Sequence, residues 1–443
     1  MKFVIIGGDA AGMSAASRAK RNQPDLEVTV LEKTSDVSYS ACGMPYNIAE
    51  PDREVDDLVV RHAKVFREKQ GIDLRTGYEV EHIDRVSKTV TGKNQQGEEF
   101  KIPYDKLLIA TGASPIMPDL PGFDLPGVVA LKSLDDGRKI KDFIRSQDVK
   151  KVIIIGMRYI ALEMCEALRA RSIDVAMVKP RPVFLPWMAE ELASVVKDEI
   201  EGHGVKIYMG HKIEQITAEG DILKVICPDL VLEGQMVLVA IGVKPGSELA
   251  AKAGLDLGPS NSIAVDRTLV TKDEDIYAAG DCADAYHVVT GQKTWVPLAL
   301  RANRAGWAVV DNVTGKRTEL PGIVGSAVFK VFELQVARTG LSMREAEKFG
   351  FEPVETVIKT RSRAHAHPGS TTMHLQIVGD KKSGRLLGMQ IVGKEGAVHR
   401  IKAPSVALHA NMTVEEFSQC DLAYAPPTWD PTLTAANQLL KKM

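Results

Sequence analysis

No second cysteine lies near Cys42, and the chain has only five in all, at positions 42, 165, 227, 282 and 420. An odd, scattered set argues against a disulfide framework and fits a reducing cytoplasm. The formal net charge is -2, so there is no global attraction to nucleic acid or an anionic membrane, and any anion site has to be local. No apolar run approaches the ~20 residues needed to span a bilayer. The opening Met1-Lys2-Phe3-Val4-Ile5-Ile6-Gly7 runs straight into a strand, without the zones of a signal peptide. A cytoplasmic protein without nucleic-acid or membrane partners is expected.

At 443 residues the chain is too long for one hydrophobic core and should divide into two or three domains. Its 44% hydrophobic and 26% charged residues, with 36 glycines, are ordinary for a soluble α/β enzyme. Apolar residues 3 to 6 precede Gly7-Gly8-Asp9-Ala10-Ala11-Gly12, a helix-like stretch from Met13 to Arg21, and a strand from Glu27 to Leu31 that ends at Glu32. An acidic residue about twenty positions after a glycine turn is what adenosine ribose recognition requires. The helix N-terminus would hold a pyrophosphate. The same grammar returns at Lys151–Ile155, Gly156-Met157-Arg158-Tyr159-Ile160-Ala161, a helix through Arg171 and a strand from Asp174 to Val178. Two dinucleotide folds are therefore expected in one chain.

Leu107–Gly112 and Met236–Gly242 each read as a buried strand ending in a tight glycine turn, and Asp275–Cys282 as a strand end presenting Asp281. From about Gly325 the pattern turns to β-branched strands, Ser326 to Phe332, Glu355 to Thr360, Thr371 to Ile377 and Leu386 to Val392, followed by helical stretches after Ala397. The fold class is α/β, with two Rossmann-like dinucleotide-binding domains and a separate C-terminal α+β domain. The expected divisions are 1–112 with 243–320 for the first dinucleotide fold, 113–242 for the second, and 325–443 for the C-terminal domain.

Cys42 sits in Ser38-Tyr39-Ser40-Ala41-Cys42-Gly43-Met44-Pro45-Tyr46, downstream of the first glycine turn. A thiol so placed is suited to exchanging electrons with a bound flavin. With no resolving cysteine, its oxidised form is a mixed disulfide, a persulfide or a sulfenic acid. To act it needs a lowered pKa, which a helix N-terminus and the flavin edge would supply. The other four cysteines read as structural. His365 and His367 leave two readings open, solvated loop histidines or a proton donor titrating nearer neutrality than a phenol, and no cysteine or carboxylate cluster completes a metal site.

The first turn, Glu32, the Ser38–Tyr46 segment, Ala110-Thr111-Gly112, the second turn, Gly280-Asp281 and Tyr424-Ala425-Pro426-Pro427, in this order, resemble the single-cysteine branch of the pyridine nucleotide-disulfide oxidoreductases. Within it the chain most resembles coenzyme A-disulfide reductases and NAD(P)H-dependent coenzyme A persulfide or polysulfide reductases. The resemblance implies an FAD site at Gly7, Gly8, Ala11, Gly12, Glu32, Lys33, Ala110, Thr111, Gly112, Gly280, Asp281 and Ala299. It implies an NAD(P)H site at Gly156, Tyr159, Ile160, Glu163, Lys179, Arg181 and Gly242. Coenzyme A, a candidate tightly bound ligand as well as substrate carrier, would meet Ser38, Arg18, Arg21, Arg61 and Lys69, with Lys20 and His62 nearby. The catalytic residues would be Cys42 together with Tyr424 and His367 contributed across a homodimer.

Departures from the family pattern narrow the chemistry. Family NADH oxidases and peroxidases, the alternative activity, carry a histidine in the first turn, where this chain has Ala10 and Ala11. Two-cysteine relatives need a Cys-x4-Cys pair and a C-terminal His-Pro-Thr, but positions 37 and 47 are Val and Asn and the tail reads Thr428-Trp429-Asp430-Pro431-Thr432. Ala366-His367-Pro368-Gly369 stands where a Tyr-Tyr-Pro-Gly is usual, so His367 occupies a tyrosine position. Lys179 replaces the acidic partner of an NAD ribose, and Lys179 with Arg181 would take a 2'-phosphate, favouring NADPH over NADH. The opposing reading is that Arg158 crowds the second turn and weakens nicotinamide binding, leaving a flavin-binding redox sensor or electron-transfer partner.

Overall fold

The computed structural model describes residues 1–365 and 367–443. Its first sheet is wholly parallel, ordered Ile276–Ala278, Lys106–Ile109, Lys2–Ile6, Glu27–Glu32 and Asp73–Thr76. Its central strands are largely apolar and share one core with the helices Ala10–Asn22 and Ala299–Val313 and with Ile83 and Val90 of the antiparallel strands within Tyr78–Pro103. Phe3, Ile5, Leu107, Leu108 and Ile109 are all fully buried. The helix Ala10–Asn22 packs against Ala299–Val313, where Gly306 lets the backbones meet: a Cβ there would stand 2.3 Å from the Ala11 oxygen.

A second parallel sheet is ordered Lys206–Met209, Asp174–Lys179, Lys151–Ile155, Met236–Val239 and Val128–Val129. The two dinucleotide folds are present, with the helices Ala10–Asn22 and Tyr159–Ala170 in corresponding places after the two glycine turns. Two antiparallel three-stranded sheets, Tyr78–Pro103 and Gln215–Gly234, accompany them.

The C-terminal sheet is antiparallel, ordered Ala327–Val331, Leu334–Gly340, Leu386–Gly393, Thr372–Asp380 and Pro353–Arg361. Sequence reading had four of these strands and missed Leu334–Gly340. The reason is local: Phe332 makes the hairpin turn at φ 50°, a conformation usually marked by Gly or Asn.

The short helix that follows Cys42, Met44–Ala49, belongs by chain position to the first sheet's unit yet packs elsewhere. Met44 and Ile48 join the second core, with Leu134, Ile140 and Leu162. No helix among the described residues is long and apolar enough to cross a membrane.

Candidate active site

The first glycine turn is set by close approach. Gly7 has φ +110°, and a Cβ there would lie 2.2 Å from the Ala110 oxygen; one on Gly12 would lie 1.9 Å from the Gly7 oxygen. Strand, turn and helix can meet this closely only without side chains. Asp9 is the N-cap of the helix, but its side chain makes no capping bond, which leaves the first-turn amides open to an anion. Glu32 Oε2 accepts from the Gly8 amide at 2.7 Å, and Oε1 accepts from the Thr34 amide and hydroxyl at 2.8 and 2.7 Å. Its carboxylate is therefore locked beside the turn, while Lys33 is exposed.

The remaining expected FAD residues converge on the same sheet edge. The Ala110 amide donates to Ile6 and Thr111 Oγ1 donates to the Gly246 oxygen at 2.5 Å. Gly112, at φ +68°, has open space where a side chain would stand, and Gly280, at φ +87°, packs against Ala11. Ala299 opens its helix without a side-chain cap. These uncapped amides and the open space at Gly112 fit a dinucleotide cofactor. Asp281 Oδ2 lies 3.4 Å from Lys132 Nζ. Lys132 was not anticipated, because no spacing rule links it to a residue 149 positions away.

Cys42 lies in a 3-10 turn, Ala41–Gly43, that leads into the helix Met44–Ala49. Its thiol is free and exposed. Of the two groups expected to lower the thiol pKa, a helix N-terminus and the flavin edge, only the first belongs to the chain, and the chain's other groups together act against it. Dense surroundings push the thiol up and the Glu163 carboxylate adds to this; Lys132 is the cation that opposes them. Glu163 is itself pushed up by burial to about 7, and Tyr46 to about 12. The Tyr46 hydroxyl stands 3.4 Å from Glu163 Oε1. A neutral Glu163 removes the charge that disfavours the thiolate.

Ser38 adopts φ 50° and ties the turn to the cysteine loop: its amide donates to the Gly8 oxygen at 3.0 Å, and its oxygen accepts from the Val60 and Arg61 amides. Arg61 is exposed, with its guanidinium 5.4 Å from the Phe66 ring centre. Arg21 and Lys69 are also exposed. Arg18 departs from the expectation of a free phosphate ligand, because it forms a bidentate pair with Asp311 at 2.8 Å for both bonds. Lys20 is likewise engaged, donating to the Pro24 and Leu26 oxygens.

The second turn repeats the first. Gly156, at φ +115°, abuts the Ala240 oxygen, and the third glycine position is filled by fully buried Ala161. Arg158 folds toward Gly242, where a Cβ would meet its Nη1 at 3.3 Å. Tyr159 packs at 5.2 Å from Phe329 and 5.7 Å from Trp187, next to half-buried Ile160. Lys179 also differs from expectation: it is buried and its ammonium donates to the Val183 oxygen at 2.6 Å, leaving Arg181 as the exposed cation of the pair.

His367 and Tyr424 come from segments that touch, since the Ala364 amide donates to the Pro426 oxygen at 2.9 Å. His367 Nδ1 lies 3.0 Å from the Pro368 oxygen, and Tyr424 is 65% exposed. Ala366, part of the tyrosine-replacing segment, lies outside the described residues.

The chain is 36% identical over 442 residues to an NAD(P)H sulfur oxidoreductase (CoA-dependent) of Pyrococcus furiosus, covering 99% of each. It is 32% identical over 447 residues to an NADH oxidase of Methanocaldococcus jannaschii, covering 100% of this chain and 99% of that one. A solved NAD-dependent persulfide reductase from A. fulgidus superposes with a TM-score of 0.96 at 36% identity, covering 100% of this chain and 83% of that one. The chain is thus an oxidoreductase of the group that includes coenzyme A-linked disulfide and persulfide reductases and NADH oxidases, not a sensor alone. Its family uses FAD and NAD(P)H. Residues 1–306 match the model of the pyridine nucleotide-disulphide oxidoreductases and residues 326–436 that of their dimerisation domain, and the chain belongs to this family.

Proposed function

We propose that the protein is a homodimeric FAD enzyme that uses NAD(P)H, preferring NADPH, to reduce a coenzyme A disulfide or persulfide through Cys42. The observation that carries this reading is the exposed lone thiol. Cys165, Cys227 and Cys282 are buried, and Cys420 lies near the C-terminus, so the second sulfur of any disulfide at Cys42 is the substrate's.

FAD, when bound, supplies the passage of two electrons from NAD(P)H to sulfur. The Cys42 thiolate attacks one sulfur of the substrate; the S–S bond breaks and coenzyme A thiolate, or hydrosulfide from a persulfide, leaves with a proton. The resulting Cys42 mixed disulfide with coenzyme A takes up the two electrons and a proton, returning the Cys42 thiolate and a coenzyme A thiol. Burial pushes Glu163 up to about 7, so below that pH the thiolate forms beside a neutral carboxyl. His367 of the partner subunit and Tyr424 of the partner subunit protonate or orient the leaving sulfur. Ser38 meets the pantetheine arm, and exposed Arg21, Arg61 and Lys69 meet the phosphates. Arg18, paired to Asp311, supports the helix from behind.

The NADH oxidase relatives keep a second reading open, in which Cys42 cycles through sulfenic acid. Ala10 and Ala11 disfavour it, because the family's oxidases and peroxidases carry a histidine in this turn. Anaerobic stopped-flow mixing of the NADPH-reduced enzyme with coenzyme A disulfide, coenzyme A persulfide, peroxide or oxygen separates the two. Fastest reoxidation by a coenzyme A acceptor supports the proposal, and fastest reoxidation by peroxide or oxygen overturns it.

A further inference from the structure

Arg400 closes the short helix Ala397–Arg400 and is buried, 9% exposed. Its guanidinium fits only because residue 396 is glycine: a Cβ there would stand 1.8 Å from Nη1. Nη2 donates to the Ser362 oxygen at 2.7 Å and to the Trp429 oxygen at 2.6 Å, and Nε donates to the Trp429 oxygen at 3.1 Å. Ser362 precedes the loop that carries His367, and Trp429 follows the segment that carries Tyr424. One planar fork thus ties both segments together. Burying a charge is costly, and this one bonds to main-chain oxygens, which fixes the path of the backbone. A second arginine fixes the loop itself. Arg363 forms a bidentate pair with Glu395 at 3.0 and 2.9 Å, and its Nη1 donates to the Pro368 oxygen at 2.8 Å. That oxygen also lies 3.0 Å from His367 Nδ1. An Nδ1 proton donated to it leaves Nε2 as the nitrogen that takes and gives a substrate proton. Ser362 closes the loop: its amide donates to the Thr371 oxygen at 2.9 Å, and its Oγ accepts from the Thr371 amide at 3.0 Å.

We propose that Arg400 is a positioning residue of the redox site, and that it aims the His367 and Tyr424 segments together at the sulfur that leaves the substrate. Held in place, the two side chains give that sulfur its proton, and a coenzyme A thiol departs. With the segments released, the sulfur must depart as the thiolate. The penalty then grows with the basicity of the leaving thiolate. The inference rests on the proposed role of His367 and Tyr424 as proton donors.

Anaerobic stopped-flow mixing reads the reoxidation of the NADPH-reduced holoenzyme by two acceptors, coenzyme A disulfide and dithiobis(nitrobenzoate), whose weakly basic aromatic thiolate leaves without a proton. Arg400→Gln should slow reoxidation by coenzyme A disulfide about tenfold, the scale of a misplaced catalytic group. Reoxidation by the aromatic disulfide should slow less than about threefold. A loss of equal size with both acceptors, the mark of a merely structural role, overturns the proposal, and so does no loss with either. Flavin absorbance and the thermal midpoint report whether the fold is kept. Should Arg400→Gln lose it, Arg363→Gln, which frees the Pro368 oxygen from a half-buried position, carries the same test with the same expectation. His367→Ala and Tyr424→Phe, read alongside, separate two kinds of failure. No acceptor-dependent loss in either of them contradicts their role as donors. Such a loss in both, with none in Arg400→Gln, overturns the positioning role alone.

Discussion

Lys141 Nζ lies 3.2 Å from both the main-chain oxygen and the Oδ1 of Asn47, the residue at the position where two-cysteine relatives carry their second thiol. Asn47 is fully buried and donates to the Glu54 oxygen at 2.8 Å. The same ammonium reaches the Glu50 oxygen at 2.8 Å and the Arg53 oxygen, and Arg171 donates to the Ile48 oxygen at 3.2 Å. Two cations thus satisfy the C-terminal carbonyls of the helix Met44–Ala49. Lys141→Met should cost about 1–3 kcal/mol, the usual penalty for leaving buried acceptors unpaired. Chemical denaturation checks this, and an unchanged midpoint would show that the ammonium is dispensable.

Glu163 gives a pH dependence of defined sign. Its folded-state pKa, about 7, lies above the ordinary 4.5, so the native state binds this proton more tightly than the unfolded chain. The stabilisation is complete below about pH 4.5 and is lost as pH rises through about 7. Glu163→Gln, neutral throughout, should flatten the fall in thermal midpoint over that window. It should also speed Cys42 alkylation above pH 7 and leave it unchanged below pH 5, where Glu163 is already protonated.

The roles of Lys179 and Arg181 separate by exposure. Arg181→Ala should raise KM for NADPH about tenfold, about 1.4 kcal/mol of lost phosphate binding, and leave KM for NADH unchanged. Lys179→Met, which breaks the bond to the Val183 oxygen, should act on stability more than on the ratio of the two constants. Steady-state kinetics with both nucleotides decides, and a greater change in that ratio from Lys179→Met would return the 2'-phosphate to the buried lysine.

The glycine turns, the strand order near them and the isolation of Cys42 were readable because each follows from a local necessity. Gly7 against Ala110 and Gly156 against Ala240 admit no side chain, and such positions announce themselves in any sequence. Lys132, the Asn47–Lys141 contact and the Arg18–Asp311 pair were not readable, since each joins segments about 100 to 300 residues apart whose periodicity carries no record of the partner. For Cys42 the expected lowering of the pKa rests on a helix start together with the flavin edge, and of these only the helix start belongs to the chain. The dense surroundings of the exposed thiol and the Glu163 carboxylate act against that local feature.

Arg18→Ala tests its reassignment from ligand to scaffold. Asp311 is largely buried, with a side chain only 7% exposed, and losing its partner should destabilise the protein by about 1–3 kcal/mol. KM for coenzyme A disulfide should stay unchanged within error. A large rise in KM at normal stability would restore Arg18 to the substrate site.

The central claim is that the sulfur paired with Cys42 comes from coenzyme A. Intact mass spectrometry of the purified oxidised protein, with peptide mapping and a dithiothreitol-treated control, reads this directly. A reducible adduct of coenzyme A mass on the Cys42 peptide, absent from Cys42→Ser, is the predicted result. Cys42 found only as free thiol or sulfenic acid after incubation with coenzyme A disulfide would contradict the account.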